Sequence, residues 1–509
     1  MSVLEMLLIP MTNIELLLLV ALGTFAGMFV GAIPGLSVTM GVALLLSLTY
    51  SMDVYAALAI MLGVLYGGVF GGSRAAILVN MPGTAATIAT TFDGYPLNLR
   101  GETGIALSLT TIASSFGSLI GVFFLAVFSP MIASVALEFS PRDYFLVAMM
   151  GILLIGSVSE GSISKGIFVG CLGILLGLVG IDSLNAAQRF TFGFITLMNG
   201  INEVSAILGL FGLAEVLYQL KKLKENEKPV KLNGKSYPPL RVLIRLLPLK
   251  LRVSLLGVLV GALPGVGAEI AALLGYDHAK RTVKKPNRPF GQGSYEGVVA
   301  PEAANNAAVG GTLIPMLTLG IPGDSVTALF ISALIIQGLQ PGPLLMTNTP
   351  ELFWMIVGSS LLASIFILIF GLLVVKIFIR VVSVPKPILL PIITIISIVG
   401  AYSMNNSIHD VYWMLGFGIM GFFLRIYKFP VGPMILGVIL GPLIDVSFRR
   451  AYIMADSNLL HFLVGFFSTP ISAILTFGLL FTIFSQTPVF EKIKVKFMKD
   501  DDMKLDNKL

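Results

Sequence analysis

The sequence predicts an all-α integral membrane protein of about 12 transmembrane helices plus re-entrant hairpins, arranged as two structural repeats of inverted topology. Three observations lead there. Apolar residues fill 56% of the 509 positions and charged residues only 12%, against about 25% charged in a soluble domain. Apolar stretches of spanning length, roughly 20 residues, recur along the whole chain. A Pro-Gly motif inside apolar segments returns in the second half, in the same order.

The composition comes first. With a mean hydropathy of +0.93, the chain has too few charges to coat itself for water and needs lipid as part of its solvent. The first apolar stretch, Ile14 to Val30, lacks a basic start and a small-residue cleavage site, so it reads as a retained helix. The single cysteine, Cys171, lies in an apolar run and reads as a plain buried thiol. The three histidines show no ligand spacing, which leaves no transition-metal site to propose. The net charge of +6 does not signal nucleic acid, because the basic residues gather at the ends of apolar segments.

One polar stretch divides the chain into halves 1–220 and 253–490. The linker 221–252 holds ten Lys or Arg against two Glu, with helix-breaking Pro229, Gly234, Pro238 and Pro239. The excess of positive charge places it in the cytoplasm, together with the charged tail 491–509. A second basic run, Lys280 to Arg288, follows the apolar segment 253–275. Basic flanks on both sides favour a hairpin that enters the membrane and returns. Segments 104–220 and 352–485 are candidates for a static scaffold.

The repeat is read residue by residue. Gly31-Ala-Ile-Pro-Gly35 matches Gly261-Ala-Leu-Pro-Gly265. Gly71-Gly-Ser73 precedes Asn80-Met-Pro-Gly-Thr84, as Gly310-Gly-Thr312 precedes Gly320-Ile-Pro-Gly-Asp324. Proline in a helix interior costs about 3 kcal/mol, and glycine adds backbone freedom. Peptide groups freed in hydrocarbon must find partners, so broken backbone persists where it lines a cavity or holds a ligand. A half-helix that starts after a break points N–H groups at the gap and suits a carboxylate. One that ends there presents carbonyls that suit a sodium ion. Gly/Pro-interrupted segments at matching places in two halves are the mark of a secondary transporter.

The candidate substrate-binding residues are therefore Gly35, Ser37, Thr39, Arg74, Asn80, Gly83, Thr84, Gly265, Gly267, Glu269, Gly323 and Ser325. The candidate cation-binding residues are Pro34, Asn80, Pro264, Asn305, Asn306, Thr318 and Asp324. Ionisable residues within spans are usually functional or paired. Arg74 suits a substrate carboxylate through its planar fork, pairs with Glu269 across the centre, or serves another structural role. Glu302, Asn305 and Asn306 form the polar start of a long segment and bind a cation or substrate, or serve as caps. Asp324 is a helix cap or a sodium ligand. Asp93-Gly-Tyr-Pro96 reads as a turn at a membrane edge.

At these residues the sequence resembles the large membrane subunit of the tripartite tricarboxylate transporters, the TctA family. Its most specific stretch runs from Glu296-Gly-Val-Val-Ala-Pro-Glu-Ala-Ala-Asn-Asn through Leu317-Thr-Leu-Gly-Ile-Pro-Gly-Asp324 to Gly338-Leu-Gln-Pro-Gly-Pro343. Tyr66-Gly-Gly, Asp93-Gly-Tyr-Pro, Arg189-Phe-Thr-Phe-Gly and Gly209-Leu-Phe-Gly-Leu-Ala-Glu215 add to it. The resemblance covers the chain to about residue 445 and implies an elevator-type fold. It also implies a small four-helix membrane subunit and a periplasmic solute-binding protein as partners, and allows a homodimer. The implied solute is a di- or tricarboxylate such as citrate, driven by an ion gradient, usually sodium, across the cell inner membrane.

Three function classes compete. An ion-coupled organic-anion carrier accounts for the repeat, the breaks and the motifs. A carrier of another small organic solute, working without the partners, is the alternative. A channel gives no reason for two matched breaks per half. An enzyme lacks a paired base and nucleophile, and the Gly-rich stretches lack the Lys of a phosphate loop.

Overall fold

The computed structural model describes residues 2–33, 36–49, 51–158, 163–221, 237–373 and 386–485. Almost everything in it is helix. In the first half these are α1 (Val3–Thr12), α2 (Ile14–Ala32), α3 (Val38–Leu48), α4 (Val54–Val79), α5 (Ile88–Leu99), α6 (Thr103–Ala136), α7 (Pro141–Val158), α8 (Ile163–Gly177), α9 (Glu203–Ile207) and α10 (Ala214–Lys221). A π-helical stretch, Leu208–Leu213, joins α9 to α10. The second half holds α11 (Leu240–Arg245), α12 (Leu247–Gly261), α13 (Gly267–Thr282), α14 (Tyr295–Leu319), α15 (Ser325–Ile336), α16 (Pro343–Asn348) and α17 (Pro350–Leu373). It continues with α18 (Lys386–Asn405), α19 (Ile408–Ile426), α20 (Gly432–Met454), α21 (Leu459–Gly465) and α22 (Pro470–Ser485).

Six helical segments among the described residues are long and apolar enough to cross a membrane: α2, α4, α6, the run α9–α10, α17 and α20. A bent pair, Leu459–Gly465 with Pro470–Phe484, makes a seventh if counted as one span. Shorter apolar helices such as α3 and α15 are half-length arms. α12 and α13 run alongside each other, so the chain returns on itself after residue 261.

Glycine sets the closest helix contacts. Gly23, Gly27 and Gly31 recur every fourth residue on α2 and seat on Ile60, Val64 and Gly68 of α4, while Gly63, Gly67 and Gly71 of α4 seat back on α2. A methyl group on Gly67 would lie 2.1 Å from the Thr24 carbonyl oxygen, and one on Gly31 would lie 2.0 Å from that of Gly68. The second half repeats the device: Gly257 and Gly261 of α12 sit on Ala304 and Ala308 of α14. Gly117 and Gly121 of α6 meet the next face of α14 at Ala303 and Ala307. Small residues let backbones approach, and in lipid that packing drives association.

These contacts sort the helices. α2, α4, α6, α12, α14 and α17 form one group. α7, α8, α20 and α22 form a second, and α9, α10, α18 and α19 a third. Segments 104–220 and 352–485, read from the sequence as scaffold, are therefore split. Their leading helices α6 and α17 pack with the broken helices, because Gly117 and Gly121 seat α6 on α14 and α17 lies against both α6 and α4. Cys171, read as buried, lies exposed on α8.

Outside the apolar segments, ion pairs tie loops down. Arg288 reaches Glu102 at 2.6 Å and Arg245 reaches Glu296 at 2.7 Å. The first binds the basic run 280–288 to the loop between α5 and α6, the second binds α11 to α14, and Arg245 also donates to the Lys285 carbonyl at 2.9 Å. A small hairpin, Gly180–Ile181 with Gln188–Arg189, follows α8. It is anchored to α20, where Asp182 accepts from Arg449 and Arg189 reaches Asp445 at 2.9 Å.

Candidate functional site

Three of the Pro-Gly breaks lie among the described residues. Pro34 and Gly35 of the first lie outside them, but its flanks, Ile33 and Leu36 to Thr39, are described. Each break ends one helix and starts the next. α4 stops at Asn80, which holds a left-handed backbone (φ 57°). α12 stops at Gly261, and Gly265 and Gly267 take positive φ of 83° and 68° before α13 begins. α14 stops at Gly320 with φ 69°.

The four tips converge. Within the first half, the Gly83 N–H donates to the Gly72 carbonyl at 3.2 Å. A methyl group on Gly83 would lie 2.0 Å from the Gly31 carbonyl oxygen. Within the second half, the Gly265 N–H donates to the Gly323 carbonyl at 2.7 Å, and Gly323 rests on Thr312. Between halves, Thr39 Oγ1 at the start of α3 and Ser325 Oγ at the start of α15 lie 3.3 Å apart. Ala86, just after the second break, packs with Val266, Ala268 and Ala271 after the third. The first tip thus meets the fourth, and the second meets the third.

The tips that open α5 and α15 are built alike and finished differently. In both, a threonine three residues on closes the turn. Thr87 Oγ1 donates to the Thr84 carbonyl at 2.8 Å, and Thr327 Oγ1 donates to that of Asp324 at 3.0 Å. At α15, Asp324 Oδ1 accepts from the Val326 and Thr327 N–H groups at 3.1 and 2.8 Å. Its plain reading as a cap is what the geometry displays. Thr84 is buried, and its N–H donates to Thr87 Oγ1 at 3.4 Å, closing the short 3-10 turn Ala85–Thr87 that leads into α5. Ser37 caps α3 by accepting from the Met40 N–H at 3.1 Å.

Arg74 does not reach the tips. It is fully buried, and its guanidinium turns toward α6, donating to the Leu107 carbonyl at 3.0 Å and to Thr110 Oγ1 at 2.5 Å. It also donates to Ser73 Oγ at 3.1 Å and stacks over Phe70, 4.2 Å from the ring centre. The carboxylate facing it is Glu302 of α14, which accepts from Thr90 Oγ1 at 2.5 Å and Ser114 Oγ at 2.9 Å. This corrects the pairing of Arg74 with Glu269. Glu269 lies in the first turn of α13 and is exposed.

Asn305 and Asn306 extend the same network. Asn305 donates to the Ala86 carbonyl at 2.9 Å, and Asn306 donates to the Asn305 Oδ1 at 2.7 Å and to the Glu302 carbonyl at 3.0 Å. Ser118 Oγ stands 3.5 Å from Asn306 Oδ1. Each side-chain oxygen accepts one hydrogen bond within this network. Thr318 bonds back to the Ile314 carbonyl at 2.8 Å inside α14. The result is one fully buried polar web linking α4, α5, α6 and α14, directly beside the second tip.

Asp93 holds a place that its sequence setting hides. Gly94 and Pro96 suggest a turn, yet the residues lie within α5. The buried Asp93 carboxylate accepts from the Gly293 and Ser294 N–H groups at 2.8 and 2.7 Å and from the Tyr276 hydroxyl at 3.0 Å. It caps the approach to α14 from another helix. Nothing in the local pattern signals that partner.

On the other side of the third break an apolar cavity of about 410 Å³ separates Ala262 and Pro264 from α7 and α22. Phe128 and Met131 of α6 and Leu319 of α14 help line it. Farther along, the helices that follow the first and fourth breaks meet the third group. Ser47 of α3 packs on Gly400 of α18, and Ser332 of α15 donates to Glu203 of α9 at 3.2 Å.

Apolar helices of spanning length around a buried centre of broken helices define a multi-pass membrane protein. Residues 17–436 match the tripartite tricarboxylate transporter TctA family. The chain belongs to that family and is a membrane component of tricarboxylate transport. It is similar to an uncharacterized 52.8 kDa protein of Agrobacterium vitis named for the 3′ region of TAR-I ttuC′, with 35% identity over 85% of each chain. A second uncharacterized protein of Agrobacterium vitis, named for the TAR-II ttuC′ 3′ region, is 37% identical over 48% of this chain and 100% of its own length. No solved structure gives a significant match.

Proposed function

We propose that the chain is the large subunit of a secondary transporter that imports a di- or tricarboxylate, citrate-like anion through the cell inner membrane. A cation gradient, sodium first, drives it by alternating access. A small four-helix subunit and a periplasmic solute-binding protein complete the system. The observation that carries this reading is the meeting of four helix tips at one buried place. There, half-helix starts supply N–H groups for a carboxylate and half-helix ends supply carbonyls for a cation.

The sequence repeat supports two halves related by a two-fold axis. It equates the first break with the third and the second with the fourth. Under that exchange, the contact between Thr39 and Ser325 becomes the contact between the second and third tips. The two groups of outer helices exchange as well, which suits inverted repeats. The coupling cation is assigned to the backbone around Pro34, Asn80 and Pro264, where helices α2, α4 and α12 end. The basic linker 221–252 and the tail 491–509 lie in the cytoplasm on this reading.

An elevator-like motion is supported by the unequal fit of the two sides. The bodies of α3 and α15 rest on the third helix group at Ser47 and Ser332, while the α12–α13 tip faces the cavity beside the second group. The test is uptake by proteoliposomes containing the purified chain, with and without its partner subunits and sodium. A panel of di- and tricarboxylates serves as substrate. Saturable, sodium-dependent uptake of one of them is expected. Non-saturating flux indifferent to sodium would overturn the carrier reading.

A further inference from the structure

The stretch Arg189-Phe-Thr-Phe-Gly193 belongs to the loop between α8 and α9 and to none of the four tips. Its large apolar side chains point out of the protein. Phe190 is 51% exposed, Phe192 81%, Phe194 61% and the adjoining Ile195 79%. Phe190 and Phe192 also hold left-handed backbone, with φ of 50° and 49°, a conformation that bulky residues keep only where the surroundings impose it. The surroundings here are firm. Thr191 between them is buried, and its hydroxyl donates to Gln188 Oε1 at 3.2 Å. The buried Asp182 carboxylate at the base accepts from Arg189 at 3.3 Å and from Arg449 of α20 at 2.8 Å. Arg189 in turn reaches Asp445 of α20 at 2.9 Å.

Asp445 and Arg449 fix the height of the loop. From Gly432 to Ile444, α20 carries no charge; Asp445 is the first, and Arg449 and Arg450 follow. The apolar run of this spanning helix therefore ends at the clamp. α21 lies at the same height, since Phe462 packs on Phe448 and Tyr452 with ring centres 5.3 and 5.8 Å apart. It stands at 93° to α22, which packs along α7, so α21 lies in the membrane plane. Its Leu459, Leu460, Leu463 and Val464 are exposed as well. Large apolar side chains gathered on a surface mark a protein or membrane contact, and at this height the contact at hand is lipid. We infer that Phe190, Phe192, Phe194 and Ile195 insert into the interfacial layer of the bilayer, with the Asp182–Arg449 clamp setting their depth. The loop is thus a membrane anchor for the helix group to which α20 belongs.

The test uses the full chain in phospholipid vesicles. Trp354→Phe and Trp413→Phe remove the native tryptophans, and Phe192→Trp introduces a reporter. Phosphatidylcholine brominated near the headgroup end of its chains quenches tryptophan on contact. A side chain buried about 5–10 Å into the headgroup and acyl boundary should lose about half or more of its emission in brominated vesicles. Iodide on both faces of the membrane should have little effect. Ile195→Trp gives the same reading should Phe192→Trp fail to fold. Arg449→Gln in either background opens the clamp and should reduce quenching by the lipid. Emission indifferent to brominated lipid overturns the insertion, and strong quenching by iodide beside it would turn the loop toward a soluble protein partner instead. Lipid quenching unchanged by Arg449→Gln overturns the role of the clamp.

Discussion

Arg74 and Glu302 offer a direct test of what holds the centre together. Both are fully buried, on α4 and α14, and they face each other through Ser73 rather than by direct contact. Arg74→Gln leaves Glu302 charged and without its counter-charge, while Glu302→Gln does the reverse. Breaking a buried pair from one side costs about 3–5 kcal/mol. Arg74→Gln also weakens the bonds to Leu107 and Thr110, which adds about 1–3 kcal/mol for each polar group left unmet. In the double variant no charge is stranded, so its loss should be smaller than the sum of the singles by about 1–3 kcal/mol. The assay is the unfolding midpoint of each variant in detergent, with citrate and succinate binding measured beside it. Additive losses would remove the coupling. A double variant that folds as the unaltered protein does but loses substrate would refute a structural role and return Arg74 to the site.

Three further outcomes follow from the same geometry. Gly31→Ala places a methyl 2.0 Å from the Gly68 carbonyl oxygen. It should lower stability by about 1–3 kcal/mol or more through overpacking, read as a lowered midpoint and poorer yield of folded protein. The Arg449 hydrogen bond holds the Asp182 carboxyl below the usual carboxylate value of 3.8. That stability is fully present above the unfolded pKa and is lost as pH falls through the folded one. Proteolysis of the 178–202 loop should therefore stay constant from pH 7 to about 5 and rise only below about 4, whereas early opening at pH 6 would contradict the pairing. A cysteine pair replacing Ser332 and Glu203, in a Cys171→Ser background, joins α15 to α9 when treated with a short bifunctional reagent. Uptake should stop and return on cleavage of the link, and full uptake with the link intact would exclude movement at that contact.

The breaks were legible because Pro-Gly inside an apolar segment is local chemistry. Asn80, Gly83, Gly265, Gly267, Gly323 and Asp324 all sit where helices end or begin. What the breaks touch was less legible. Arg74 and Glu269 are the charges that stand out along the sequence, and pairing them is the simplest guess. The partner is Glu302 because α4 and α14 both pack on α6, a matter of tertiary contact rather than spacing. One signal was present. Glu302, Asn305 and Asn306 fall at i, i+3 and i+4 and share a helix face, which marks a polar stripe that apolar surroundings would force into a network. Asp93 gave no such mark. Gly94 and Pro96 carry turn chemistry in water, but within the fold α5 continues through them, because Asp93 is committed to N–H groups 200 residues away.

The same contacts say which helices are locked together. Where α2 meets α4 and α12 meets α14, backbone touches backbone across glycine, and any slide would drive carbonyls into each other. The web of Arg74, Glu302, Asn305 and Asn306 crosses α4, α5, α6 and α14 and ties the two halves at depth. Those helices are one body. The contacts of that body with the outer helices are of another kind. Among the described residues α15 meets α9 with one side-chain hydrogen bond, Ser332 to Glu203, and the α12–α13 tip meets α7 across an apolar cavity. Interfaces held by few polar links and open apolar space reform at low cost, while interlocked glycine backbones do not. If transport moves a body carrying all four tips, the boundary of that body runs along α3 and α15 on one side and along the α12–α13 tip on the other.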